Sequence, residues 1–195
     1  MSQCKSQTES VLSRSPASLR VPFEISAASV LKVVCAVLLT ALAAQVRIFV
    51  VGPVPITLQT LAVLLTGFAL GARLAPVAML LYVGLGAVGL PFFAVGLVGP
   101  TGGYIVGFVF AAAFLGRFGR AGGGRWLRTA VVAATGTALI FVFGLVWLAV
   151  WLKWDFRAAF LTGFVPFWPG AVLKTAVAVA AVRAWRRTVA GFRGR

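Results

Sequence analysis

The sequence predicts an all-α integral membrane protein with six transmembrane helices and both termini in the cytoplasm. Three observations carry this. Of its 195 residues, 61% are hydrophobic, and they gather in uncharged runs approaching the roughly 20 residues a helix needs to cross ~30 Å of hydrocarbon. Glycine and proline clusters separate the runs. The 18 Lys and Arg lie almost entirely between or beyond them, so a net charge of +15 reads as membrane topology rather than as a nucleic-acid surface.

The first span is Val30 to Val46, and Gly52-Pro53-Val54-Pro55 breaks the chain after it. A second runs from Thr57 to Leu70, with Thr57 and Gln59 just inside its start, and Gly71-Ala72-Arg73 ends it. The third, Leu74 to Leu90, stops at Pro91. Gly99-Pro100 precedes the fourth, Tyr104 to Phe118, and Gly122-Gly123-Gly124 follows it. The fifth is Thr129 to Leu152, and the residues from Pro166 to Gly170 open the sixth, Pro169 to Trp185. Six spans return both termini to one side. With that side inside, every Lys and Arg is cytoplasmic except Arg47, Lys153, Arg157 and Lys174, a strong positive-inside asymmetry. Residues 1–28 then form a cytoplasmic tail of disordered composition, 29–186 the membrane domain and 187–195 a basic cytoplasmic tail. The expected location is a bacterial inner membrane, crossed several times.

Composition narrows the chemistry. There is no His, and the only carboxylates are Glu9, Glu24 and Asp155, so paired-carboxylate and His-based catalysis have no players and an enzyme is not expected. Cys4 and Cys35 offer neither a disulfide framework nor a metal site. Ala41-Leu42-Ala43 imitates a signal-peptidase site, but the leader before it is too long, which favours an uncleaved first helix. No G-x-x-x-x-G-K-[ST] loop is present, so ATP-driven work by that route has to come from a partner. No span carries an ionisable residue at its middle, as a proton-coupled carrier would. Outside the spans there is no room for a folded basic domain, and no nucleic-acid partner is expected. The cytoplasmic arginines read as topology signals and contacts to anionic membrane lipid.

The remaining polar groups concentrate at the outer helix ends: Gln45, Arg47, Thr57 and Gln59, then Leu90-Pro91-Phe92-Phe93, Gly99-Pro100-Thr101-Gly102-Gly103-Tyr104, and Pro166-Phe167-Trp168-Pro169-Gly170-Ala171-Val172-Leu173-Lys174. Two readings fit. Backbone-exposing glycines, aromatic walls and a helix N-terminus could form an outward-facing substrate cup; equally, glycine and proline end helices and polar aromatics sit at the lipid interface. Lys174, one turn inside the sixth span, is a functional residue on the first reading and a snorkelling lysine on the second. Ala36, Thr40 and Ala44 repeat at four-residue spacing, which allows close approach of a helix from a partner or from within the bundle. Gly99, Gly103, Gly107 and Ala111 form a similar line, for which packing within the bundle is the stronger reading, with Gly103 able to serve both roles.

The run Pro53-Val54-Pro55-Ile56-Thr57-Leu58-Gln59-Thr60, the Gly-Leu-Pro at 89–91, Gly99-Pro100-Thr101-Gly102-Gly103-Tyr104 with Gly107-Phe108, and Pro-Gly before Leu173-Lys174 follow a recognisable order. Over about residues 30 to 185 the sequence resembles the BioY family, the biotin-specific substrate-binding (S) components of energy-coupling-factor transporters. The resemblance implies a six-helix domain that captures biotin near the outer surface, with Lys174, Thr57, Gln59, Phe92, Thr101, Gly102, Gly103 and Tyr104 as substrate-binding residues. Arg47 is either a contact for the biotin carboxylate or an interfacial anchor. The resemblance further implies a transmembrane coupling subunit docking on Ala36, Thr40 and Ala44 and a pair of ATPases as partners. A solitary or homo-oligomeric mode stays open, and no cofactor is implied beyond biotin as cargo and ATP used by the partners. Two departures stand out. Ala171 occupies the usual acidic position of a Pro-Gly-Asp-x-x-Lys pattern, one helical turn from Lys174. The stretch between Phe93 and Gly99 is short. An S component for another vitamin, or a membrane protein with a degenerate site, are the alternatives.

Overall fold

A computed structural model describes residues 26–51, 54–90, 97–119 and 126–193. In chain order these form α1 (Ala27–Gln45), strands β1 (Arg47–Val51) and β2 (Val54–Thr57), α2 (Gln59–Ala87), α3 (Gly102–Phe118), α4 (Trp126–Trp151), α5 (Phe156–Gly163) and α6 (Trp168–Arg193). By length and apolarity α1, α2 and α4 can each cross a membrane, and α5 with α6 forms a pair bent by 53°. The expected tail at 1–28 falls almost wholly outside the described residues. The basic segment from residue 187 continues α6 as helix to Arg193.

The second and third predicted spans are two arms of α2. Helical geometry breaks at Gly71, whose φ of 78° and ψ of −173° suit glycine alone. Gln59 Nε2 donates to Tyr82 OH at 2.6 Å, joining residues placed almost symmetrically about Gly71, so the arms fold back on one another. The Gly71 tip packs against the end of α3, where a Cβ on Gly116 would lie 2.5 Å from the Gly71 carbonyl.

Two features depart from the expected layout. Val54 to Thr57 belongs to an antiparallel hairpin in which Arg47 pairs with Thr57, Phe49 with Ile56 and Val50 with Pro55, with an irregularity between Arg47 and Phe49. Thr57 is therefore the last strand residue rather than a helical one, and Leu58 N–H bonds Val46 O at 3.3 Å to close the hairpin base. Alternating β-branched residues and prolines favour this extended path over a helix start. The loop before the sixth span contains α5, capped by Asp155, whose Oδ1 accepts from Ala158 N–H at 2.8 Å.

Helix α3 is the centre of the bundle. It packs on α2 and α4, while α1 packs on α2 and α6 contacts both α2 and α4. Tyr82, Phe68, Leu64, Met79, Leu115 and Ile140 are the largest fully buried side chains. Ala36 and Thr40 are buried within this same core, at 5% and 0% exposure, and Thr40 Oγ1 donates back to Ala36 O at 2.8 Å. Of the three residues expected to receive a coupling subunit, Ala36 and Thr40 thus pack where α1 meets the rest of the chain, and Ala44 is partly buried.

The bundle has two chemically distinct ends. At one, Arg186 donates to Gly119 O at 2.5 Å and to Thr129 Oγ1 at 3.4 Å, and its guanidinium lies 5.9 Å over the Phe68 ring. This cation joins α6 to the kinked tip of α2, the end of α3 and the start of α4, and satisfies a C-terminal carbonyl of α3. Arg73 and Arg117 belong to the same end. We expect Gly71→Ala to cost about 1–3 kcal/mol through strain at a positive φ; an unchanged thermal midpoint in detergent would show that the tip does not require this conformation.

Candidate functional site

At the other end, the β-hairpin, the adjoining ends of α2, α3 and α6 and the middle of α4 enclose a cavity of about 80 Å³. That is several times the ~10–15 Å³ a single water needs. Val54, Pro55 and Thr57 come from the hairpin, Gln59 and Thr60 from the first turn of α2, and Thr101, Tyr104, Ile105 and Phe108 from the start of α3. Ile140 and Phe141 of α4, Phe167 before α6, and Ala171 and Lys174 of α6 complete the wall.

The polar side is built around the strand-to-helix junction. Lys174 Nζ donates to Thr57 O at 2.6 Å, satisfying a backbone acceptor freed where β2 ends. An ammonium has three N–H donors, so it can hold this carbonyl and still present a donor and a positive charge to the cavity. Thr57 Oγ1 donates to Gln59 Oε1 at 3.0 Å, and the Gln59 amide continues to Tyr82 OH. The chain of bonds fixes the Gln59 rotamer and runs from α6 through the hairpin to both arms of α2. The Thr60 hydroxyl is buried without a hydrogen-bond partner among the described residues. Among the described residues lining the cavity, Lys174 carries the only charged side chain.

The opposite wall is aromatic. Tyr104 meets Phe141 edge-on, with centroids 6.2 Å apart and planes at 84°, and lies nearly parallel to Phe167 at 6.4 Å. Tyr104 OH donates to Gly163 O at 2.9 Å, pinning α3 to the end of α5. The ring fits because Gly144 of α4 faces it; a Cβ there would overlap the Tyr104 ring. Trp147 Nε1 donates to Gly99 O at 2.9 Å and so fixes the turn leading into α3.

Of the residues singled out in the sequence, Thr57, Gln59, Thr101, Tyr104 and Lys174 converge on this cavity. Gly102 and Gly103 do not line it. Both are buried against α4, and a Cβ on Gly103 would overlap Trp147 Cβ and the Phe143 carbonyl, so they serve helix packing. Arg47 is exposed and stands across the hairpin from Thr57, outside the cavity wall. Phe92 and the stretch up to residue 96 lie outside the described residues. Phe167 lay within the run expected to open the sixth span, whereas Thr60, Phe108, Ile140 and Phe141 were not singled out in the sequence as cavity-lining groups. Thr60 and Phe108 were at least visible as part of the motif runs, whereas Ile140 and Phe141 sit mid-run in α4 with nothing local to separate them from lipid-facing neighbours.

The BioY family model matches residues 14–191 of the sequence. The chain belongs to the BioY family. Among its relatives, the probable biotin transporter BioY of Pyrococcus horikoshii is 39% identical over 149 residues, covering 73% of this chain and 86% of the relative. The biotin transporter BioY of Thermotoga maritima is 38% identical over 140 residues, covering 68% and 81%. These BioY relatives are transporters rather than enzymes. The fold is similar to that of the S-component for biotin from an ECF-type ABC transporter, with a TM-score of 0.68 at 23% identity over 82% of this chain and 93% of the other. It is similar to FolT bound with folic acid at a TM-score of 0.59 and 18% identity. At these identities the structural likeness establishes a shared fold alone. This BioY chain is thus a multi-pass membrane protein whose cavity lies at one end of its helices. Tyr104→Phe keeps the ring but leaves Gly163 O unpaired, and should cost about 1–3 kcal/mol; a thermal midpoint equal to that of the unaltered protein would remove Tyr104 OH from this role.

Proposed function

We propose that this chain is the substrate-capture subunit of a biotin uptake transporter. One observation carries the reading: in a BioY chain, the cavity sets a single buried ammonium and a row of hydroxyl and amide groups against an aromatic wall. Biotin has a bicyclic, largely apolar head with a thioether sulfur, a ureido group with N–H donors and a C=O acceptor, and a carboxylate that is negative at neutral pH. The Tyr104, Phe141 and Phe167 rings suit the head and its sulfur. Thr57, Gln59 and Thr101 offer acceptors and donors to the ureido group, and Lys174 supplies the positive charge an anionic vitamin needs. Ala171 lines the cavity one turn from Lys174, so no acid competes there for the ammonium.

Orientation follows from charge. The end carrying Arg73, Arg117 and Arg186 faces the cytoplasm, as do both termini, and the cavity faces outward. A transmembrane coupling subunit and a pair of ATPases supply energy from the arginine end, because the sequence carries no P-loop. Membrane lipid covers the exposed apolar faces of α1 and α4.

Equilibrium binding of labelled biotin to the detergent-purified protein tests the reading. Removing the charge in Lys174→Gln should weaken binding by about 1.5–3 kcal/mol, roughly ten- to hundredfold in Kd, while retaining a donor for Thr57 O. Ala171→Asp gives a ureido N–H a nearby acceptor and should tighten binding by about 1 kcal/mol. Absence of biotin binding by the native protein, with binding of another vitamin in a panel, would replace biotin as the cargo. Binding of no vitamin at all would mark a degenerate site.

A further inference from the structure

Behind the ligand cavity, on the outer side of the bundle, a groove of about 870 Å³ runs between α4 and α6. Small facing residues leave it open: Ala134 on α4 and Ala176 on α6 are among those lining it. Its polar demand is met internally. The Thr137 and Thr175 hydroxyls lie 2.9 Å apart, and they reach Ala133 O at 3.1 Å and Ala171 O at 2.7 Å. The groove therefore presents hydrocarbon along its middle, and it does so in a membrane.

Its ends differ. Trp126 and Arg183 lie at the arginine end, while Phe164 and Trp168 close the cavity end with aromatic rings. Arg183 is half-buried, and Arg187 follows it by one turn of α6. Asp155, the only acidic side chain among the described residues, caps α5 at the far end. From Arg183 back to Ala171, α6 rises about 18 Å, close to the ~15 Å of hydrocarbon in one leaflet.

A ligand with negative charge at one end only and one leaflet's depth of hydrocarbon behind it matches this groove. We propose that the α4–α6 groove is a specific site for one anionic glycerophospholipid, its headgroup phosphate on Arg183 and an acyl chain lying between α4 and α6. Phe141 and Ala171 line both the groove and the ligand cavity, so the end of that chain rests against the back wall of the cavity.

Native mass spectrometry of the full chain, delipidated in neutral detergent and offered phosphatidylglycerol or phosphatidylcholine of identical acyl composition, tests this. The expected result is retention of one phosphatidylglycerol per chain in preference to phosphatidylcholine. Arg183→Gln should abolish the preference, weakening phosphatidylglycerol about fivefold, the effect of one arginine at a lipid surface. Arg73→Gln, at the same end on another helix, should leave it intact. Ala176→Phe should displace the lipid by filling the groove, and Ala134→Leu serves the same purpose if a lowered thermal midpoint shows that Ala176→Phe disturbs the fold. Equal retention of the two lipids by the native chain, an undiminished preference in Arg183→Gln, or full retention in both groove-filling variants that fold would overturn the proposal. So would a lipid-independent dimer that the groove-filling variants separate, since a second copy would then occupy the groove.

Discussion

The close approach of α3 to both α2 and α4 is the constraint from which the remainder of the structure follows. In a bilayer the tails outside are as apolar as the side chains inside, so helices associate through packing and hydrogen bonding rather than through exclusion of water. Contact has to be intimate to be favourable. Leu115 of α3 enters spaces that Gly67 of α2 and Gly136 of α4 leave open, and Gly103 brings α3 onto Trp147. Higher along the same seam, Gly144 admits the Tyr104 ring. With α3 held this closely, its first turn is fixed relative to α2 and α4, and the cavity inherits its shape from that seam.

Satisfaction of backbone polar groups then decides which side chains can serve a ligand. At the strand-to-helix junction, Lys174 reaches across from α6 to donate to the Thr57 carbonyl. One contact thus ties the hairpin to the last helix and positions an ammonium at the cavity. At the opposite end Arg186 performs a related structural service for Gly119 at the close of α3. Basic side chains thus finish exposed backbone ends at both ends of the bundle, Lys174 at Thr57 and Arg186 at Gly119.

The neighbouring cavity and groove illustrate how thin a membrane-protein wall can be. Phe141 and Ala171 separate a partly polar space from an apolar one. A larger or charged residue at 171 would alter both at once, because the helix presents that position between the two. The aromatic wall behaves likewise: Phe141 meets Tyr104 on its cavity side and Phe164, at 5.1 Å, towards the groove.

Much was legible in the sequence because the bilayer simplifies the code. Apolar runs of spanning length, with glycine and proline between them, marked the helices, and the distribution of arginine and lysine marked the ends. Gly71 was visible as a break, and Thr57, Gln59, Thr101, Tyr104 and Lys174 were identifiable through short motifs. The β-hairpin was not legible, since Pro-Val-Pro-Ile-Thr serves equally as a helix approach, and pairing with Arg47–Val51 is a non-local choice. Nor was the use of small residues: the spacing of Ala36 and Thr40, or of Gly102 and Gly103, permits close contact without naming the partner. Only the folded bundle packed those residues internally and brought Ile140 and Phe141 to the cavity wall, because which face of an apolar helix looks inward depends on its neighbours. The sequence by itself determined the family, the apolar helical runs and the polar residues that converge on the cavity; the tertiary structure decided the direction each helix faces, since lipid and protein core make nearly the same demand on side-chain polarity and differ chiefly in the packing they require.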